Sequence, residues 1–156
     1  MMKLKKDEKL QSNFWMNEFL SDNDKQAPTP EMLINLTKLS YSAQALRTKL
    51  GNMRITSGAR SVEFNKAVGG DSNSNHLTGK AMDFELIDEN GKENYGTWTV
   101  EKLLPIFNSA GISNVGFYFK QGKFQWIHAD IGKTWGNVKD WKRFSNTLSY
   151  RRIEVK

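Results

Sequence analysis

Hydrophobic residues recur along this chain with two different periods, and the switch between them lays out the elements. Met32, Leu33, Leu36, Leu39, Ala43, Leu46 and Leu50 form one stripe at helical spacing. Thr29-Pro30-Glu31 opens that helix, with Thr29 as N-cap, Pro30 at the first helical position and Glu31 in the first turn. Gly51 closes it as a C-cap. Val100, Leu103, Leu104 and Phe107 mark a second helix over Thr99 to Ala110, which Pro105 is expected to end or kink. Elsewhere the period falls to two. Arg54 to Gly58 predicts a short strand running into a turn, and Ala81 to Leu86 alternates as a strand before the turn signal Asp88-Glu89-Asn90-Gly91. Val115 to Phe119 and Phe124 to Asp130 flank Gln121-Gly122 as a hairpin. Phe14 to Leu20 is a short apolar segment expected as a helical turn, and Ser21 to Pro30 is a polar loop. Arg60 to Val68 is helix or loop up to Gly69-Gly70, and the polar run Asp71 to Asn75 delivers His76. The tail from residue 133 to 156 is basic and aromatic with no clear period. These elements make an α+β domain with a small, mostly antiparallel sheet and flanking helices.

Composition narrows the class. The 156 residues fit one domain, with residues 1–12 expected to be flexible and 133–156 a basic aromatic extension. There is no cysteine, so disulfides and thiolate metal sites are excluded. Any metal must be held by His, Asp, Glu or backbone, which suits hydrolytic zinc or a harder ion. The charged start, Met1 to Lys9, has no apolar run behind it, and no segment is long enough to span a bilayer. The expectation is synthesis in a cytoplasm without a signal peptide, and no membrane insertion. The net charge of +6 suits an anionic polymer, including a bacterial wall. No basic stripe is interleaved with aromatics, so nucleic acid is not the expected partner.

The candidate chemistry rests on the two histidines in the chain, His76 and His128. Asp83 lies seven residues beyond the first. Three such ligands plus water can form a site with an open coordination position, which separates catalytic from structural zinc. Such a metal lowers the pKa of bound water toward about 7 and polarises a carbonyl. A proton shuttle is then needed. On a strand, residues two apart share a face, so Asp130 goes with His128 and Glu85 with Asp83. Gln125 points away unless a bulge intervenes. Asp130 is therefore the first candidate base and Glu85 the second, while Asp130 could instead orient His128. Arg60, in the turn after Ser57-Gly58-Ala59, could bind a substrate carboxylate or developing charge, and Ser74 could hydrogen-bond substrate backbone. The plainer alternatives are a structural loop histidine, a turn-capping Asp83, a surface ion pair at Arg60 and loop filler at Ser74.

The residues themselves carry more. Arg54-Ile55-Thr56-Ser57-Gly58-Ala59-Arg60-Ser61, then Asn65 to Gly70, then Ser74-x-His76-x-x-Gly79-Lys80-Ala81-x-Asp83, then Trp126-Ile127-His128-Ala129-Asp130 occur in this order. Together they closely resemble the zinc D-Ala-D-Ala carboxypeptidase family. That family includes the L-alanyl-D-glutamate endopeptidases of phage lysins and shares its fold with the hedgehog signalling domain. The likeness runs from about Phe14 to about Ile131. It implies one zinc ion held by His76, Asp83 and His128, with Arg60 and Ser74 against substrate or transition state. It implies cleavage in the peptidoglycan stem beside a D-amino acid, and small residues at Gly79 and Ala81 because the chain packs closely there.

Two departures stand out. Many relatives carry an acid a few positions before the second histidine as catalytic base, where this chain has Lys123-Phe124-Gln125-Trp126. Asp130 is then the expected catalytic residue beside Arg60, in keeping with relatives ending in His-x-Asp. Ala59 stands where an aromatic is common. The expected protein is a monomeric zinc metallopeptidase acting on bacterial peptidoglycan, as a phage or prophage endolysin or a virion-associated lysin. The alternative is a non-catalytic zinc-containing wall-binding or structural module of the same fold. The exact stem bond, and exo or endo action, are open at the level of sequence.

Overall fold

The computed structural model describes residues 8–21, 27–133, 141–143 and 148–154. Among these residues, three helices and eight strands follow in order. They are β1 (Lys9–Gln11), β2 (Phe14–Trp15), α1 (Pro30–Leu50), β3 (Met53–Ser57), α2 (Val62–Ala67), β4 (Ala81–Leu86), α3 (Val100–Ser109), β5 (Asn114–Lys120), β6 (Lys123–Asp130), β7 (Trp141–Arg143) and β8 (Leu148–Glu154). Single 3₁₀ turns cover Met16–Phe19 and Asn75–Thr78.

Each helix begins where its chemistry says it should. The Thr29 hydroxyl accepts from Met32 N at 3.2 Å, so one orphan amide of α1 is satisfied. Ser61 and Thr99 do the same for Phe64 N and Lys102 N. Pro105 neither ends α3 nor marks its limit; the helix runs on to Ser109. Val100, Leu103 and Phe107 are buried on one face, and this packing outweighs the lost backbone bond.

The main sheet has the order β3-β4-β6-β5-β8-β7, and every neighbouring pair is antiparallel. β8 and the edge strand β7 extend one side of the sheet and are drawn from the tail that showed no period. The small pair β1–β2 stands apart, and Leu10 packs against the core.

Alternation gives the sheet two unlike faces. On one, Met82, Phe84 and Leu86 of β4, Ile127 and Ala129 of β6, and Val115, Phe117 and Phe119 of β5 are buried. Leu36, Leu39, Ala43 and Leu46 of α1 and Leu103 and Phe107 of α3 complete that core. The other face carries Asp83 and His128, register partners on β4 and β6, and Gly116 on β5, the next partner of His128. One face is thus given over to packing, which leaves the other for chemistry. Register shifts between Tyr118 and Phe119, leaving Gln125 as an extra residue on β6. This bulge sits at the position where one was needed to change the direction of Gln125.

Among the described residues, no helix is long and apolar enough to cross a membrane.

Candidate metal centre

Three elements converge on the polar face of the sheet. The turn Asn75–Thr78 supplies His76, β4 supplies Asp83 and β6 supplies His128. Their candidate ligand atoms all lie within 4.8 Å of one another. His76 Nε2 is 3.3 Å and His128 Nδ1 2.9 Å from the same oxygen, Asp83 Oδ1. The imidazole rings meet edge to face, 5.0 Å between centroids.

Local chemistry delivers each group. Ser74 Oγ accepts from His76 N at 3.2 Å, which caps the turn. Gly79 then turns the chain into β4 with φ of 76°, and a methyl built there would meet Met32 O at 2.6 Å. Ala81, fully buried, follows. The close packing expected at Gly79 is therefore steric and lies against Met32 of α1, and Ala81 is small at a fully buried position.

The two histidines are held through different nitrogens. His76 Nδ1 is 2.7 Å from Gly58 O. A carbonyl can only accept, so Nδ1 carries a proton, and Nε2 faces Asp83. His128 reverses the arrangement. Its Nε2 is 2.7 Å from Asp130 Oδ2, and Nδ1 faces Asp83.

Burial and neighbours set the charges. Burial is the largest influence on Asp83 and works against its ionisation. The charge of His76 and hydrogen bonds from His128 and His76 overcome this and hold the carboxyl far below its usual range. For His76 burial dominates and lowers the pKa. Burial also opposes charge on His128, but hydrogen bonds to Asp130 and Asp83 outweigh it and push the ring up to about 9.

Asp130 is fully buried and both of its oxygens are engaged. Oδ2 faces His128, while Oδ1 accepts from Asn114 Nδ2 at 2.7 Å and Gly132 N at 3.1 Å. Asn114 Nδ2 also donates to Lys133 O at 3.0 Å. Of the two roles the sequence offers Asp130, this geometry suits orientation of His128. Arg60 is nearly as fully engaged. Its Nε donates to Ser57 Oγ at 3.1 Å and a terminal nitrogen to Asp83 Oδ2 at 3.0 Å. The other terminal nitrogen lies 3.5 Å from Asn65 Oδ1. The guanidinium thus fixes the second oxygen of Asp83. Glu85 is paired with Arg54 at 2.6 Å. Gln125 donates through Nε2 to Phe124 O at 3.1 Å.

The residues fit zinc on their own chemistry. Two imidazoles and one ionised carboxylate form a three-ligand set with a fourth position open. Each ligand is steadied by a further partner: Gly58 O on His76, Arg60 on Asp83 and Asp130 on His128.

A His-Asp-His centre on the polar face of an antiparallel sheet, backed by helices, defines a zinc-peptidase type of fold and site. Comparison with protein families matches residues 12–130 to peptidase M15. The chain belongs to that family, whose members are zinc peptidases acting on peptidoglycan-type substrates. No individual curated protein matches it significantly.

The sequence reading missed Asn114 and Gly58. Gly58 contributes only a backbone carbonyl, and Asn114 meets Asp130 across a strand pair; neither relation leaves a local pattern.

Proposed function

We propose that the protein cleaves stem peptides or cross-links of bacterial peptidoglycan as a phage or prophage endolysin or a virion-associated lysin. The observation that supports this reading is the His76–Asp83–His128 cluster, its two rings buried and its carboxylate partly so, with its ligand atoms within 4.8 Å and a supporting group behind each. When bound there, zinc supplies Lewis acidity and a water of lowered pKa. The chain does the rest. Arg60 holds the second oxygen of Asp83 and so turns the carboxylate toward the site, and its charge adds to the field that meets a substrate carboxylate or developing oxyanion. Ser74, half-buried, holds the turn that presents His76 and offers its hydroxyl to substrate backbone. Asp130 keeps the proton of His128 on Nε2, so that Nδ1 is the ligand atom. Glu85, on the same face as Asp83 and 20% exposed, is then the carboxylate for proton transfer.

Digestion of purified sacculi by zinc-loaded protein, followed by mass spectrometry of the fragments, tests this reading. New termini beside a D-amino acid identify the bond and separate trimming of chain ends from internal cleavage. Intact sacculi across pH and salt would sink the enzymatic reading. One observation favours a second reading, a non-catalytic zinc module that binds the wall: Gln125 stands where relatives carry an acid, and Asp130 is buried against His128. Sedimentation of that same inactive protein with sacculi would support it.

A further inference from the structure

We propose that Tyr118 is a catalytic residue whose hydroxyl donates a hydrogen bond to the scissile carbonyl oxygen as it gains negative charge. The inference rests on the peptidase reading above and adds a residue to it.

Position is the first ground. Phe117 and Phe119 point into the core, so Tyr118 between them projects from the metal face of β5. Its ring is stacked on Trp126, 4.4 Å between centroids and 13° between planes. Trp126 lies two residues before His128, on the same face of β6. The stack therefore stands one step along the strands from a metal ligand.

Gly116 supplies the second ground. It pairs directly with His128 across β5 and β6. A methyl group built on Gly116 would lie 3.0 Å from Tyr118 Cε2, 3.6 Å from Tyr118 Oη and 3.3 Å from His128 Cβ. The Tyr118 phenol and the His128 Cβ thus flank one point above Gly116. The ring leans back along β5 toward the metal row and occupies the space that the missing side chain leaves. The residue next to His128 is small, and the polar end of Tyr118 is carried to that spot.

Chemistry supplies the third ground. The neighbouring cation, Arg60, has its three nitrogens turned to Ser57, Asn65 and Asp83. A further donor near the open position is what amide hydrolysis requires. Tyr118 is half-buried, with its hydroxyl on the face that carries the metal ligands.

The test is Tyr118→Phe in the full zinc-loaded chain, which keeps the stack and removes one oxygen. Against peptidoglycan fragments, kcat should fall about 100-fold with KM and zinc affinity unchanged. Affinity for a phosphinate dipeptide, which mimics the charged transition state, should weaken by a similar factor. A variant with wild-type kcat overturns the proposal. Wild-type protein that cleaves no peptidoglycan fails the peptidase reading instead, and there the phosphinate decides. Tight wild-type binding that Y118F weakens keeps Tyr118 in the site; equal binding, or none, removes it.

Discussion

The two histidines of the centre reach the same carboxylate oxygen from opposite structural backgrounds. His76 rides on a one-turn helix in a connecting segment and leans on a backbone carbonyl, Gly58 O. His128 sits on a central strand and leans on a buried carboxylate, Asp130. A carbonyl fixes a tautomer without adding charge; a carboxylate fixes the tautomer and also attracts a proton. The result is one ring whose pKa is lowered by burial and one raised to about 9. The first is ready to ligate at neutral pH. The second must give up a proton to do so, and in return is oriented more strongly.

The comparison breaks most completely if a ring is removed. His128→Ala should abolish hydrolysis of sacculi and lower bound zinc well below one equivalent, by metal analysis, while circular dichroism stays near wild type. Asp130→Asn probes the difference itself. It should weaken zinc binding roughly 10- to 100-fold in a chelator competition. Its loss of hydrolysis should be restored by excess zinc; a variant with wild-type zinc affinity and no hydrolysis would instead make Asp130 the proton shuttle.

The carbonyl side is reached through packing. A methyl group on Gly58 would collide with the backbone of Phe19. Gly58→Ala should lower unfolding free energy by about 1–3 kcal/mol or more and displace the acceptor of His76. Thermal denaturation with and without zinc reads both effects.

pH separates the two rings in metal-stripped protein. His128 has a raised pKa, so its contribution is complete below 6.5 and is lost as pH rises through about 9. His76 has a lowered pKa, so stability also falls as pH drops below 6.5 and the unfolded chain takes up the proton. Melting temperature should therefore peak near neutrality. Zinc affinity should rise across the upper half of that range, where His128 deprotonates. A flat profile from pH 6 to pH 9.5 would remove the proposed contrast. The smallest effect belongs to Ser74→Ala, which removes the cap beneath His76 and should lower stability by about 1 kcal/mol.

Much of this was legible in the residues. The stripe from Met32 to Leu50, the cap at Thr29 and the alternation of Ala81–Leu86 and Phe124–Asp130 describe elements that form where their patterns say. The ligand trio followed from residue identity and order. Pro105 misled because core packing of α3 outweighs one lost hydrogen bond. β7 and β8 left no trace because strand preference depends on packing against neighbouring strands, which adjacent residues along the chain do not show.

Sequence by itself therefore determined which side chains form the candidate metal cluster and that a helix-backed antiparallel sheet would hold them. Local propensity and side-chain identity are properties of neighbours along the chain. Tertiary structure alone decided what each group does. It placed Asp130 behind His128, Arg60 on Asp83 and a backbone carbonyl on His76. It also brought Tyr118 over Gly116. Those roles depend on register across strands and on burial, and both are set by residues far apart in sequence.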